Sequence, residues 1–485
     1  MPRSAILAAL LAACFLVTGC AVPLGPGFYP EKQSYEVHLI SSSAPRFHVR
    51  AMFRLRNTGD RPLDFLEAVL PDVSSSGRSG LRVLVDGGEV VPQTPADAQA
   101  RSIQIPFHPP WPQKQRRELV IEYHLVPPAP GHAGVSVEEP SAHLRHSNWF
   151  PRLSPPAHLF ARHRPPKRVE LSVFVPPGFV ALAGGEPKGT RRSDSGTEYR
   201  FELNEEVDLG PFVVAGRYLE TRIKTAEGEV VFWTLQPIDP DAARQAATRI
   251  AATYKTYETV FGRLKHRHDT LWIAGTRARL TPHPGRAEDS PAGIGFPDGA
   301  LLNTRAFALG VSSGTFLDLV DHELAHSWFG LRVEARPEAD VILSEALAEY
   351  ATIVAAEARD GDFARRHHAA LLLRWYDEHR ANYADKPLVA LRPGDPWEQR
   401  VFGYSKGALF FLALEDEIGK ENVRRGLARL VHALQLDEAG FHELRAAMEG
   451  EASRDLSDFF RTWLSRTGIP DPFRARYEVK AGSGS

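Results

Sequence analysis

His322-Glu323-Leu324-Ala325-His326-Ser327-Trp328-Phe329-Gly330 is the stretch on which the reading of this chain turns. Residues four apart share one face of a helix, so His322 and His326 can present two imidazoles to a single metal ion. Glu323 stands next to them, within reach of a water on that ion. Thr315, followed three residues later by Asp318, is expected to cap the helix, and Gly330 to end it. Two solvated surface histidines would give the same spacing. The neighbours argue against that, because Phe316, Leu317, Val320, Leu324, Ala325, Trp328 and Phe329 surround the pair with apolar bulk. A buried histidine pair with neither partner nor metal is costly.

Working outward, a catalytic zinc takes three protein ligands and keeps one position open. Eighteen residues, Ser327 to Ser344, separate His326 from Glu345, the spacing of a two-His, one-Glu site. Glu345 is expected to open a second helix, capped by Ser344 and running to about Arg359 before Asp360-Gly361. Glu349 lies one turn further on the same face. It either accepts a hydrogen bond from a ligand histidine or is a solvated helix glutamate, and the sequence leaves both open. One zinc per chain is the expected cofactor. Glu323 would act as the base that takes a proton from water and passes it to a leaving amine. In Gly403-Tyr404-Ser405-Lys406-Gly407-Ala408, Tyr404 is a candidate hydroxyl donor to a developing oxyanion; taken alone it is an ordinary helix aromatic.

The rest of the chain limits the alternatives. Its 485 residues have a length prior of about three domains or two larger ones. Hydrophobic residues make up 43% and charged residues 24%, a balance that excludes a disordered polymer. Lys+Arg 58 against Asp+Glu 60 leaves no basic excess for nucleic acid. The two cysteines, Cys14 and Cys20, both lie in the first twenty residues. A disulfide framework or a thiolate metal site is thereby excluded from the body of the protein.

Residues 1–19 read as a secretion signal, with Arg3 ahead of the apolar run Ala5 to Val17. Leu16-Val17-Thr18-Gly19-Cys20 resembles a bacterial lipobox, which implies lipidation at Cys20 and a membrane partner through the acyl chains. Ala21 after the cysteine resembles an outer-membrane address facing the periplasm. Residues 20–33 form the lipidated cysteine and its tether. Residues 34–220 alternate with period two between turn signals, as in Arg50-Ala51-Met52-Phe53-Arg54-Leu55, and predict an all-β saddle or sandwich. Asp239-Pro240 then starts a helix that Gly262 can stop. Residues 221–475 are expected to be mostly helical, with 476–485 a tail. The fold class is α+β.

These residues carry a family resemblance. The His322–Gly330 stretch, then Asp340, then Leu343-Ser344-Glu345, with Tyr404, Lys406 and Gly407 downstream, resembles the aminopeptidase N-like zinc metallopeptidases. The resemblance implies a saddle-like β domain before a thermolysin-like catalytic domain, a peptide or protein substrate, and a transition-state role for Tyr404. Asn148-Trp149-Phe150-Pro151 and Gly210-Pro211-Phe212-Val213-Val214-Ala215-Gly216 are similar to landmarks of its N-terminal domain. Gly293-Ile294-Gly295-Phe296 corresponds to the family's substrate-binding strand. There Phe296 stands where a glutamate grips the free amine, and is expected to form an apolar wall. Pro155 and Pro156 replace a second acidic anchor, and the family's helical roof domain has no counterpart. The expectation is therefore a lipid-anchored zinc metallopeptidase of the cell envelope with weak free-amine recognition. The alternatives are an endopeptidase, a hydrolase of a non-peptide bond, and an inactive binding protein on the same fold.

Overall fold

The computed structural model describes residues 27–40, 45–71, 78–94, 102–127, 135–145, 149–154, 168–204, 211–264, 270–278, 280, 291–380, 383–391, 399–433 and 438–477. The expected signal segment, Cys20, the Pro155-Pro156 pair and the tail lie outside them.

Period-two alternation builds the first half. Along Arg46–Asn57 the residues Phe47, Val49, Ala51, Phe53 and Leu55 are buried between more exposed neighbours. Successive side chains of a strand point to opposite faces, so these five share one. Register carries that face sideways, since Val37 pairs with Val49 and Val49 with Tyr123. The result is an eight-stranded sheet. Its order is Glu186–Ser193, Gly196–Asn204, Arg168–Val175, Phe28–Ile40, Arg46–Asn57, Arg116–Leu125, Arg78–Val85, Gly88–Val90. Only Phe28–Ile40 and Arg168–Val175 run parallel in it. A three-stranded and a four-stranded sheet complete the region. Tyr35, Trp111, Tyr123 and Trp149 fill the core between them.

The second half begins with strands. Leu219–Thr225 and Gly228–Thr234 join Thr270–Thr276, Gly299–Asn303 and Gly293–Phe296 in a five-stranded sheet, with Gly293–Phe296 at its edge. The helix Pro240–Phe261 crosses between the parallel strands Gly228–Thr234 and Thr270–Thr276. Its start follows the sequence: Asp239 accepts from the Ala242 N–H at 2.7 Å, and Pro240 takes the first helical position. From Gly314 onward the described chain is mostly helical, packed around one apolar core. The α+β class with its β region first is therefore the observed architecture.

A small apolar cluster joins the halves. Phe212, just before the strand Val213–Gly216 of the four-stranded sheet, packs against Phe296 at 4.7 Å between centroids and against Trp272 at 5.7 Å. Beside it, Ser141 Oγ meets Thr276 Oγ1 at 3.1 Å and accepts from the Arg277 N–H at 2.9 Å.

Candidate metal centre and active site

The histidine-bearing helix spans Gly314–Ala325. Its cap is Ser313, whose hydroxyl accepts from the Phe316 N–H at 3.3 Å, and not the expected Thr315. Asp318 takes an ion pair with Arg249, which also donates to Asp321 at 2.9 Å and ties the helix to Pro240–Phe261. The helix ends at Ala325, short of Gly330, and His326 is its C-terminal cap residue. Gly330 instead turns the chain at φ 85, and a Cβ there would collide with the Ser344 side chain.

Glu345 sits in a π-helical turn, Ile342–Ala346, which runs into the helix Leu347–Asp360. Ser344 lies inside that turn and makes no capping bond, contrary to expectation. Asp340 is half-buried, two residues before the turn. Tyr404 occupies a second π-helical segment, Gln399–Lys406, which continues as the helix Gly407–Ile418. Such segments carry an extra residue per turn and recur at functional sites. The two pack at backbone distance. A Cβ on Gly403 would strike Val341, and one on Gly407 would lie 2.5 Å from the Ala346 methyl.

These elements bring His322, His326 and Glu345 together, with one ligand atom from each all within 4.8 Å of one another. Glu345 Oε2 lies 3.3 Å from His322 Nε2 and 3.6 Å from His326 Nε2. The outer nitrogens are occupied elsewhere. His322 Nδ1 lies 3.3 Å from Glu349 Oε2, and His326 Nδ1 donates to the Phe329 carbonyl at 3.0 Å. Both Nε2 atoms are thereby turned toward the shared space, an arrangement typical of metal-bound imidazoles. Two buried imidazoles and a half-buried carboxylate are the donor set of a zinc site with one position left open. Glu349, ambiguous in the sequence, is a partner of His322. The Phe329 carbonyl was not anticipated; only the turn signal at Gly330 hinted that the chain doubles back there.

The electrostatics fit a cation. Burial works to lower the His322 pKa, but Glu345 and Glu349 outweigh it and raise it to about 10. Burial works to raise Glu345, and His326 with His322 outweighs that, holding it well below the carboxylate range. A proton is thus held on the His322 imidazole by the Glu345 and Glu349 carboxylates. Burial pushes the Glu323 carboxyl up, opposed by the charges of His322 and His326. The Tyr404 ring stacks on the His322 ring at 5.5 Å and 10°.

The edge strand Gly293–Phe296 lies against this site by its glycines. A Cβ on Gly293 would meet Glu323 Cγ and Oε1 at 2.7 and 2.8 Å, and one on Gly295 would meet the Glu323 carbonyl and His326 Cβ. Strand parity then sends Ile294 and Phe296 the other way. Phe296 is fully buried against Phe212 and Trp272. The expected apolar wall at Phe296 is therefore wrong: the ring is core at the junction of the halves, because the helix approaches too closely for any side chain on its own face.

Residues 298–463 match the Peptidase family M1 domain. Probable aminopeptidase 1 of Saccharolobus solfataricus is 26% identical over 169 residues, covering 33% of this chain and 21% of that protein. Glutamyl aminopeptidase of Homo sapiens is 26% identical over 156 residues, covering 31% and 16%. The matched stretch thus spans about a fifth of those relatives or less. In fold, the chain is similar to a mutant of an M1 zinc metallopeptidase from Deinococcus radiodurans, with TM-score 0.66 and 16% identity over 92% of this chain and 96% of that one. Another structure of that metallopeptidase mutant holds a Tyr-Ser-Ala substrate, at TM-score 0.65 and 16% identity over the same shares. The resemblance to aminopeptidase N-like metallopeptidases holds, and the matched stretch 298–463 includes all three candidate ligands together with Glu323 and Tyr404.

Proposed function

We propose that this chain is a zinc-dependent peptide hydrolase of the bacterial cell envelope, held at the membrane by lipid on Cys20. The observation that carries the hydrolytic reading is the convergence of His322 Nε2, His326 Nε2 and Glu345 Oε2 beside the buried Glu323 carboxyl. His322, His326 and Glu345 would hold a zinc ion that, when bound, would supply Lewis acidity to the reaction. Glu323 takes the proton from the attacking water and delivers it to the departing amine nitrogen. Tyr404 donates its hydroxyl hydrogen to the oxyanion that grows on the scissile carbonyl. The free side of the edge strand Gly293–Phe296 accepts an extended peptide as an added strand, so main-chain hydrogen bonds hold the substrate across the site.

The edge strand offers no carboxylate to a free amine. Asp298, which follows it, is buried and accepts from the Tyr254 hydroxyl at 2.5 Å. This supports cleavage that does not depend on a charged N-terminus, against the names of the relatives. Glu288 and Asp289, the other acids considered, lie outside the described residues.

The test is metal content and turnover on the mature full chain. Wild type should hold about one zinc per chain. Glu323→Gln should keep it while losing roughly 10²–10⁴ in kcat on a peptide library. Metal retained in a His322→Ala, His326→Ala double variant would sink the ligand assignment. Equal activity of wild type and Glu323→Gln on every cleaved peptide would favour the non-catalytic binding protein.

The envelope reading rests on the Leu16–Cys20 motif. No helix among the described residues is long and apolar enough to cross a membrane. Cys20→Ser should abolish lipid labelling and release the protein to a soluble fraction or leave it uncleaved. Unchanged labelling rules the anchor out.

A further inference from the structure

One cation near Glu323 has no task in the scheme above. Arg145 directly follows the strand Ser141–Leu144 of the first half. In that sheet Leu144 pairs with Val213, which puts Arg145 beside Phe212. Phe212 packs on Phe296, and the opposite face of the same edge strand lies on Glu323. The position is therefore at the seam between the halves, one edge strand away from the candidate active site. The charge of Arg145 acts on the Glu323 carboxyl, lowering its pKa. Yet the two make no ion pair, and no hydrogen bond or ion pair joins Arg145 to any other described residue. The residue is half-buried, and its Nε is fully buried with no partner.

A guanidinium nitrogen held out of water with no acceptor among the described residues is unfavourable. Its planar fork suits a carboxylate better than any other common group. Glu323 cannot be that carboxylate, being close enough to feel the charge but not in contact. A charged group on a bound molecule beside Glu323 would feel the same guanidinium. A substrate ammonium placed there would be repelled, and an anion attracted.

We propose that Arg145 is a specificity-determining residue that receives a carboxylate of the bound peptide close to the scissile bond, either an acidic side chain or the C-terminal carboxyl. This rests on the peptide-hydrolysing reading above and adds to it a substrate class, peptides bearing a negative charge beside the cleaved bond.

The test measures binding apart from cleavage. Zinc-loaded full-chain Glu323→Gln is titrated calorimetrically with N-acetylated hexapeptides that differ only by Glu or Gln at one position, walked along the sequence. A second set compares free and amidated C-termini. At one position the acidic peptide should bind about tenfold tighter, the size of one charge-assisted contact. Adding Arg145→Gln should bring the ratio to within about twofold, and Arg145→Lys should keep part of it because the charge remains. Each ratio is taken on one variant, so a general loss of folded protein divides out. A loss on amidation with no Glu/Gln difference identifies the terminal carboxyl as the group bound. An unchanged ratio in Arg145→Gln, or no acidic preference in either set, overturns the proposal. Wild type is assayed for cleavage of the same peptides. Binding through Arg145 without any cleavage would overturn the hydrolytic reading and leave the Arg145 assignment standing.

Discussion

The two histidines and the two later residues of the candidate site reach it by different backbones. His322 and His326 lie at the end of a regular α-helix whose spacing of four sets both rings on one side. Glu345 and Tyr404 come from π-helical segments, where the extra residue shifts the phase of every side chain after it. The first pair is fixed by local geometry. The second pair holds only because Gly403 and Gly407 allow the two segments to close on Val341 and Ala346. A short-range signal thus specifies half of the centre, and tertiary packing specifies the rest.

The largest expected effect breaks the second pair chemically. Tyr404→Phe should lower kcat by roughly 10²–10³ with KM little changed, because its contact strengthens only in the transition state. Zinc content should stay at the wild-type value. An equal change in KM and none in kcat would place Tyr404 in ground-state binding and remove its donor role.

A smaller effect probes the packing itself. Gly407→Ala adds a methyl 2.5 Å from the Ala346 methyl and 3.1 Å from Ile342. Overpacking of this kind costs about 1–3 kcal/mol. Ala346→Gly should relieve it, and denaturant unfolding of the four proteins should show a coupling of about 0.5 kcal/mol or more. Additive losses would mean that the two π segments do not constrain one another.

The smallest effect concerns the regular helix. Ser313→Ala removes the bond to the Phe316 N–H and should destabilise by about 1 kcal/mol. Thr315→Ala should change unfolding by much less than that, since Thr315 does not cap. The reverse order of the two variants would restore the cap that the sequence suggested.

That reversal of caps shows how far the sequence could be read. Ser-Ser-Gly-Thr at 312–315 offers several cap residues in a row, and spacing from an acid favoured the wrong one because Asp318 is engaged by Arg249. The β class of the first half was plain, because burial on one face imposes period two. The helix from Asp239 was equally plain, because cap and proline coincide. Glu345 was found by spacing alone, yet its π turn was invisible, since no residue type marks the extra member. Phe296 was misread for a simpler reason. Alternation tells which residues share a face but not which face meets the helix, and only the two glycines decide it. Arg145 carried no motif at all; its importance arises from the docking of one half on the other.

Gly293 and Gly295 also divide the molecule by how freely it can vary. No larger residue fits at either place without pushing the edge strand away from Glu323 and His326. The strand that would hold a substrate backbone is therefore closed to diversification on its inner side, and its outer side is committed to the junction core. Lineages or libraries that retune this protein toward new peptides must draw their changes from positions other than this strand.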